Sequence, residues 1–403
     1  MGASGQPRSR PEARWTIGAS ATMAVVALVL IAVTMRAPIT LVGPLLADVA
    51  VDVGDLAVAA LLVSLPLVSF SLAAPVFPVI MGRLGLARSL QVALGLVAMG
   101  LLLRQAPGLL ALLGGTVVAG LGIAALNVAL PVVVKARWPD RVGLVTGIHT
   151  SITAIAAATA AALSLPLAEQ FGWRVSMASV GAVVALAAGL AVLLAGALSS
   201  RAQGGASGAS RPRGVVFHRT TRWLAALMAL QAGTYYALVS WLPTVLLEAG
   251  RSGVDVSALQ GLFVLLGVIS GPAAGLWLQD GRAPRSLALV CTVPLVGALT
   301  GLVVAPDAAL LWVVLAGLGC GATFTLTLAL FAVKSATAEV TAVVSSTAQT
   351  IGYVAAAVVP AVVGLIASRA GSWEVALLVL AAVALIQAVV AVCATRSAEV
   401  GSA

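Results

Sequence analysis

Residues 17–46 read IGASATMAVVALVLIAVTMRAPITLVGPLL, thirty positions that carry one charge, Arg36. A helix that crosses a bilayer needs about 20 predominantly apolar residues, so this run is long enough to span. It is too long for the apolar core of a secretion signal, and no small-residue cleavage site follows a short one, so it is expected to remain as a helix. Similar runs cover approximately 56–81, 88–104, 108–134, 143–168 and 174–198, and then 222–247, 256–279, 286–305, 308–333, 340–368 and 373–395. Twelve spanning helices are predicted, which makes the chain an all-α polytopic membrane protein.

Composition supports lipid as the solvent. Of 403 residues, 61% are hydrophobic and 9% charged, and the mean hydropathy is +1.13. Soluble domains carry roughly a quarter charged residues. The net charge of +9 does not point to nucleic acid, because the basic residues form short clusters between apolar runs instead of one face. With the N-terminus inside, 17 of the 22 Lys and Arg residues fall in cytoplasmic segments, while Arg104, Arg174, Arg251 and Arg369 fall outside. The expected location is the cytoplasmic membrane, with both termini cytoplasmic. The three cysteines, Cys291, Cys320 and Cys393, lie in apolar runs without paired spacing and read as small core hydrophobes.

The chain repeats itself at an offset of about 200 residues. Its two lysines, Lys135 and Lys334, each end the fourth helix of a half. Phe171-Gly172-Trp173-Arg174 is answered by Gly371-Ser372-Trp373-Glu374, and Pro44-Leu45-Leu46-Ala47-Asp48 by Pro243-Thr244-Val245-Leu246-Leu247-Glu248. Residues 199–221, rich in Gly, Ser and Arg, read as a cytoplasmic linker. The expected organisation is a six-helix bundle over 1–198 and a second over 222–403. Six helices per copy give both copies one orientation, so the bundles face each other across an axis along the membrane normal, with a solute site between them near mid-membrane.

The loop Gly82-Arg83-Leu84-Gly85-Leu86-Ala87-Arg88 resembles a degenerate loop motif of the major facilitator superfamily, with Gly82 in place of the usual acid. The matching loop of the second half, through Asp280-Gly281-Arg282, keeps the acid. Met35 to Leu46, Gly100 to Arg104, and Asn127-Val128-Ala129-Leu130-Pro131 resemble the cyanate permease and nitroimidazole transporter family within it. The resemblance implies a major facilitator fold of twelve helices in two parallel-repeat bundles, a gating role for Arg83, Gly85, Arg88, Asp280 and Arg282, and a substrate role for Arg36.

Several polar residues sit where lipid disfavours them. Arg36 lies inside the first run, at a cost of roughly 2.5–3.5 kcal/mol near a helix centre, and every Asp or Glu falls in a loop, in a tail or, like Glu374, at the edge of a run. Facing a water-filled cavity, its fork would dock an anion; the other reading is that it snorkels or bonds backbone carbonyls. Asn127, the one asparagine, is either a substrate contact or a bond between helices. His149 is the residue inside the runs that titrates near neutrality; it either faces the cavity with its repeat partner Gln349 or is satisfied by a carbonyl. Helix seven carries Gln231, Tyr235 and Tyr236, with Tyr236 as the counterpart of Arg36. Tyr353, four residues after Gln349, is a weaker candidate, and of Thr323, Thr325 and Thr327 at most one or two can face a cavity. Pro66, Pro75 and Pro78 can kink the second helix.

These features predict a secondary transporter for a small, anionic solute, cyanate-like or a small organic anion, working by alternating access as a monomer. The alternative is efflux of small aromatic or drug-like compounds such as nitroimidazoles. No nucleotide-binding Gly-x-x-x-x-Gly-Lys loop occurs, and no cofactor or metal is expected. Proton coupling would have to use His149 or a proton carried with the solute. An enzyme is disfavoured because neither a metal-ligand cluster nor a nucleophile–base spacing is present. A receptor would need a soluble output domain that a roughly 20-residue linker does not supply.

Overall fold

The computed structural model describes residues 19–54, 56–199, 214–279 and 284–401. The described residues form thirteen α-helices: α1 (Ala19–Thr40), α2 (Val42–Val53), α3 (Leu56–Ala73), α4 (Phe77–Leu103), α5 (Leu109–Arg137), α6 (Val142–Phe171), α7 (Trp173–Ser199), α8 (Arg219–Glu248), α9 (Gly253–Gln279), α10 (Pro284–Val304), α11 (Ala309–Val333), α12 (Ala338–Ala370) and α13 (Trp373–Arg396). Helices are what such a sequence must form in lipid, where every backbone N–H and C=O has to be satisfied within its own segment. Among the described residues, ten segments are long and apolar enough to cross a membrane, α1 and α2 counting together. Two more complete twelve. The 18 residues of α3 rise about 27 Å, and α8 is the span made more polar by Gln231, Thr234, Tyr235 and Tyr236.

The breaks have local causes. The first run continues past Leu46 to Val53, interrupted at Leu41 between α1 and α2. A helix interior cannot use the missing N–H of proline, and Pro38 and Pro44 flank that interruption. The second run breaks at 74–76, around Pro75. Inside α4 the backbone leaves the helical region at Gly85 (φ 76°, ψ 167°), a conformation that costs glycine little. Gly85 therefore divides 77–84, which completes the second span, from 86–103, which forms the third.

Packing repeats as the sequence does. In the first set of helices the contacting pairs are α1–α6, α1–α7, α3–α5, α4–α5, α4–α7 and α6–α7; each has its counterpart in α8–α12, α8–α13, α9–α11, α10–α11, α10–α13 and α12–α13. Between the sets, α6 packs on α9 and α3 on α12, and these two interfaces are related by the same repeat. Around the outside the molecule presents large apolar side chains such as Leu110, Val183 and Leu193. A contiguous surface of that kind suits hydrocarbon, not water.

Both halves tie the start of their sixth span to the end of their first. Arg174 Nη2 pairs with Asp52 Oδ2 at 2.8 Å, and Trp373 Nε1 donates to Glu248 Oε1 at 2.8 Å. Arg104 departs from expectation. Instead of lying in an outer loop it is 3% exposed, because the end of α4 is covered by α1, α5 and α7.

Candidate functional site

A cavity of about 130 Å³ lies among α1, α5 and α6 of the first set and α8, α9, α11 and α12 of the second. Arg36, Asn127, His149, Gln231, Tyr235 and Tyr236 line it together. Gln349 is not among the lining residues. Its Nε2 donates to the Asn127 carbonyl at 3.0 Å and to Ser345 Oγ at 2.8 Å, and its Oε1 accepts from the Tyr353 hydroxyl at 3.1 Å. It thus ties α12 to α5 and aims Tyr353, which does line the cavity.

Arg36 sits one turn before the end of α1. Its guanidinium carbon lies 5.9 Å from the centroid of the Phe324 ring, within range of a cation–π attraction. The phenols of Tyr236, Tyr235 and Tyr353 surround it. Among the described residues no carboxylate pairs with it, the one ion pair being Arg174–Asp52. Its neighbours are themselves a packed aromatic wall. Tyr235 meets Tyr236 edge-on at 5.3 Å and 86°, and it stacks on Phe263 at 5.9 Å and 23°. A guanidinium with its donors facing a cavity can hold a planar two-oxygen group, and the rings beside it can hold a flat body.

Polar groups across the cavity have unused capacity. His149 is 2% exposed; its Nε2 is 3.4 Å from Thr153 Oγ1, while Nδ1 has no partner among the described residues. The Asn127 side chain, 8% exposed, likewise makes no hydrogen bond among them. Thr40, four residues after Arg36 and on its face, donates to the Ala157 carbonyl of α6 at 2.9 Å. None of Thr323, Thr325 and Thr327 lines the cavity; Phe324 and Leu328, on the other face of α11, do.

Toward the start of α6 the two sets close on each other without side chains. A Cβ on Gly147 would stand 2.6 Å from the Gly271 carbonyl oxygen, and one on Gly275 would stand 2.5 Å from that of Gly143. Two small-xxx-small pairs therefore cross backbone to backbone, which only glycine permits. Beside them Thr150 Oγ1 donates to the Gly147 carbonyl at 2.9 Å and so accepts from Thr325 Oγ1 at 3.1 Å, joining α6 to α11. Ser345 Oγ donates to the Val128 carbonyl at 3.3 Å, joining α12 to α5.

Of the candidate loop residues, Arg83, Gly85 and Arg88 are exposed at the Gly85 turn, and Asp280 and Arg282 lie outside the described residues. Sequence reasoning missed Phe263, Phe324, Thr40 and the glycine crossing. The four-residue glycine spacing in α6 and α9 was a readable signal for the crossing; the two phenylalanines gave none, being apolar side chains among the many apolar side chains of α9 and α11.

The Major Facilitator Superfamily profile matches residues 22–360. Among relatives, the 2-nitroimidazole transporter of Escherichia coli K12 is 33% identical over 391 residues, covering 95% of this chain and 98% of that protein. The cyanate transport protein CynX of the same organism is 30% identical over 358 residues, covering 86% and 90%. Among solved structures, the Escherichia coli fucose:proton symporter FucP superposes with a TM-score of 0.76 at 16% identity, covering 93% of this chain and 98% of that one. The last likeness is one of fold.

Proposed function

The chain belongs to the Major Facilitator Superfamily, a multi-pass membrane protein that carries a small-molecule solute, and from that premise we propose that the solute is a small anion docked by Arg36. The observation that carries this reading is a guanidinium lining a closed-in cavity among rings and hydroxyls, with no carboxylate paired to it among the described residues. An unneutralised cation in a membrane protein is costly, and a bound anion answers it. Asn127, His149, Gln231, Tyr235 and Tyr236 complete the contacts, and Gln349 acts from behind them through Tyr353 and the Asn127 carbonyl. Proton coupling would have to use His149, whose Nδ1 has no partner among the described residues, or a proton carried with the solute. The relative named for cyanate transport agrees with a small anionic solute.

Alternating access is the mechanism the packing favours. At one end of the cavity the halves meet through the glycine crossing and two side-chain hydrogen bonds, the place where they would part. Arg83, Gly85, Arg88, Asp280 and Arg282 are assigned to gating at the loops, the functional unit to a monomer, and both termini to the cytoplasmic side of the cell membrane.

One observation favours a second reading. The wall of Tyr235, Tyr236, Phe263 and Phe324 suits a flat ring, and a nitro group presents two coplanar oxygens to an Arg fork much as a carboxylate does. Efflux of a small nitroaromatic, as the name of the other relative suggests, would use the same residues.

Uptake into proteoliposomes of cyanate, formate, benzoate and 2-nitroimidazole tests both readings. Arg36→Ala is expected to lower transport efficiency for the anions roughly 100-fold, the loss of one or two charge-assisted hydrogen bonds. Folded Arg36→Ala protein that moves the anions at the normal rate sinks the docking role. Transport of 2-nitroimidazole alone would favour the second reading.

A further inference from the structure

We propose that Arg104, which does not line the cavity, is a positioning residue that fixes the turn of α1 carrying Arg36; the proposal rests on Arg36 docking the solute. Arg104 follows the last residue of α4 and is 3% exposed. Nη1 donates to the Pro38 carbonyl at 3.1 Å, and Nη2 contacts Met177 Sδ of α7 at 3.3 Å. Nε has no partner among the described residues, and no carboxylate is paired with the group among them.

A buried guanidinium with one conventional acceptor is poor material for stability alone, since an apolar side chain of similar length would carry no desolvation penalty. What that acceptor does is the better explanation. Pro38 is two residues from Arg36, in the last turn of α1, whose final carbonyls have no acceptor role left inside the helix. A cation there also answers the negative end of the helix dipole. Pro38 has no N–H, so the ladder that should hold this turn is already short of a bond. Two outside bonds hold it instead: Arg104 to Pro38 from one side, and Thr40 Oγ1 to the Ala157 carbonyl from the other.

The space for Arg104 is built into the neighbouring helix. A Cβ on Gly115 of α5 would stand 2.7 Å from Arg104 Cγ and 2.6 Å from its backbone nitrogen. The repeat supplies an independent comparison. At the place of Arg104 the second half has Val304, 82% exposed, and its α8 runs from Arg219 to Glu248 without the interruption seen after α1. The buried second cation therefore occurs in the half that carries the first.

The test is a double-mutant cycle on proteoliposome uptake, with benzoate and cyanate as probes. Arg104→Met is expected to raise KM roughly tenfold, a coupling within the usual range for residues sharing one network, with Vmax changed less than about twofold. Arg104→Lys, which keeps a donor and the charge, should recover most of the affinity and covers the case in which the methionine variant fails to fold. In an Arg36→Ala background, Arg104→Met should move KM less than about twofold, because the residue it positions is gone. Additive effects in the cycle, or a fall in Vmax with KM unchanged, would overturn the positioning role while leaving Arg36 as the dock. Normal uptake by Arg36→Ala alone would remove the dock, and the proposal with it.

Discussion

Helix α1 brings Arg36 to the cavity, and α8, its repeat partner, brings Tyr236 to the corresponding place. The two halves pair their helices in the same pattern, yet they differ where they meet the solute. The related interfaces between the halves differ too. Where α6 crosses α9 the contact is glycine on glycine; where α3 meets α12 it is Phe70 against Tyr353, at 4.8 Å between ring centroids. Packing within a half depends on small and apolar residues that many sequences can supply. The cavity wall and the crossings between halves need particular groups, and the two copies have diverged there.

The strongest way to break this comparison is to give the glycine crossing the bulk that its counterpart already has. A leucine in place of Gly147 would drive its Cβ into the Gly271 carbonyl, so the end of the cavity beside α6 could not close. Gly147→Leu is expected to lower uptake about 100-fold at normal membrane abundance, at the upper end of overpacking costs. Gly189→Leu in α7, where a Cβ meets nothing within 4 Å, is the control and should transport normally. Equal damage from both would show that bulk anywhere in these helices is harmful and that the crossing has no special standing.

A smaller effect tests whether charge alone distinguishes α1 from α8. Arg36→Tyr should behave like the alanine variant. Adding Tyr236→Arg returns a cation to the same cavity, beside the same aromatic wall, and is expected to recover about tenfold of the lost efficiency, one charge-assisted hydrogen bond's worth. No recovery would mean that the turn after Arg36, with Pro38 and its outside bonds, sets the geometry as well as the charge.

Much of the architecture could be read from residue order. The twelve spans follow from the lengths of apolar runs, and the repeat from the paired lysines and the Trp173 and Trp373 loops. Arg36, Asn127, His149 and the α8 residues stood out because a polar group inside such a run needs a reason. What stayed hidden is the rotation of each helix about its own axis. In α11 nearly every position is apolar, so nothing in its sequence separates the face that meets lipid from the face that carries Phe324 to the cavity. Gln349 shows the converse limit. Its place in the repeat brought it close to the site, but a four-residue step along α12 decides that Tyr353 reaches the cavity and Gln349 bonds behind it. Arg104 looked like an outer loop residue because the cover over the end of α4 comes from helices distant in sequence.

The two lysines offer the mildest test of the comparison. Lys135 is in the last turn of α5, whereas Lys334 follows α11 and donates through Nζ to the Thr395 carbonyl at 2.8 Å and the Ser397 carbonyl at 2.7 Å. The tail beyond runs back along it. Val400 N donates to the Lys334 carbonyl at 2.8 Å, Ala336 N to the Val400 carbonyl at 3.0 Å, and Thr220 Oγ1 to the Ala398 carbonyl at 2.7 Å. Burial pushes the Lys334 ammonium below its ordinary value of 10.5, and the charge of Glu399 only partly opposes this. Desolvation thus opposes what its two hydrogen bonds contribute. Lys334→Met is expected to leave uptake within about twofold of wild type and to move the melting temperature by no more than about 2 °C at neutral pH. The sign with pH is fixed by the lowered value: between it and 10.5 the unfolded chain holds more protons than the folded one, so wild type gains stability as pH rises through that window. Thermal melts of both proteins from about pH 8 to about pH 10.5 should show the wild-type curve rising relative to Lys334→Met. A relative fall would mean that the charged clamp outweighs its desolvation, and that the tail of the second half is held more firmly than its hydrogen bonds suggest.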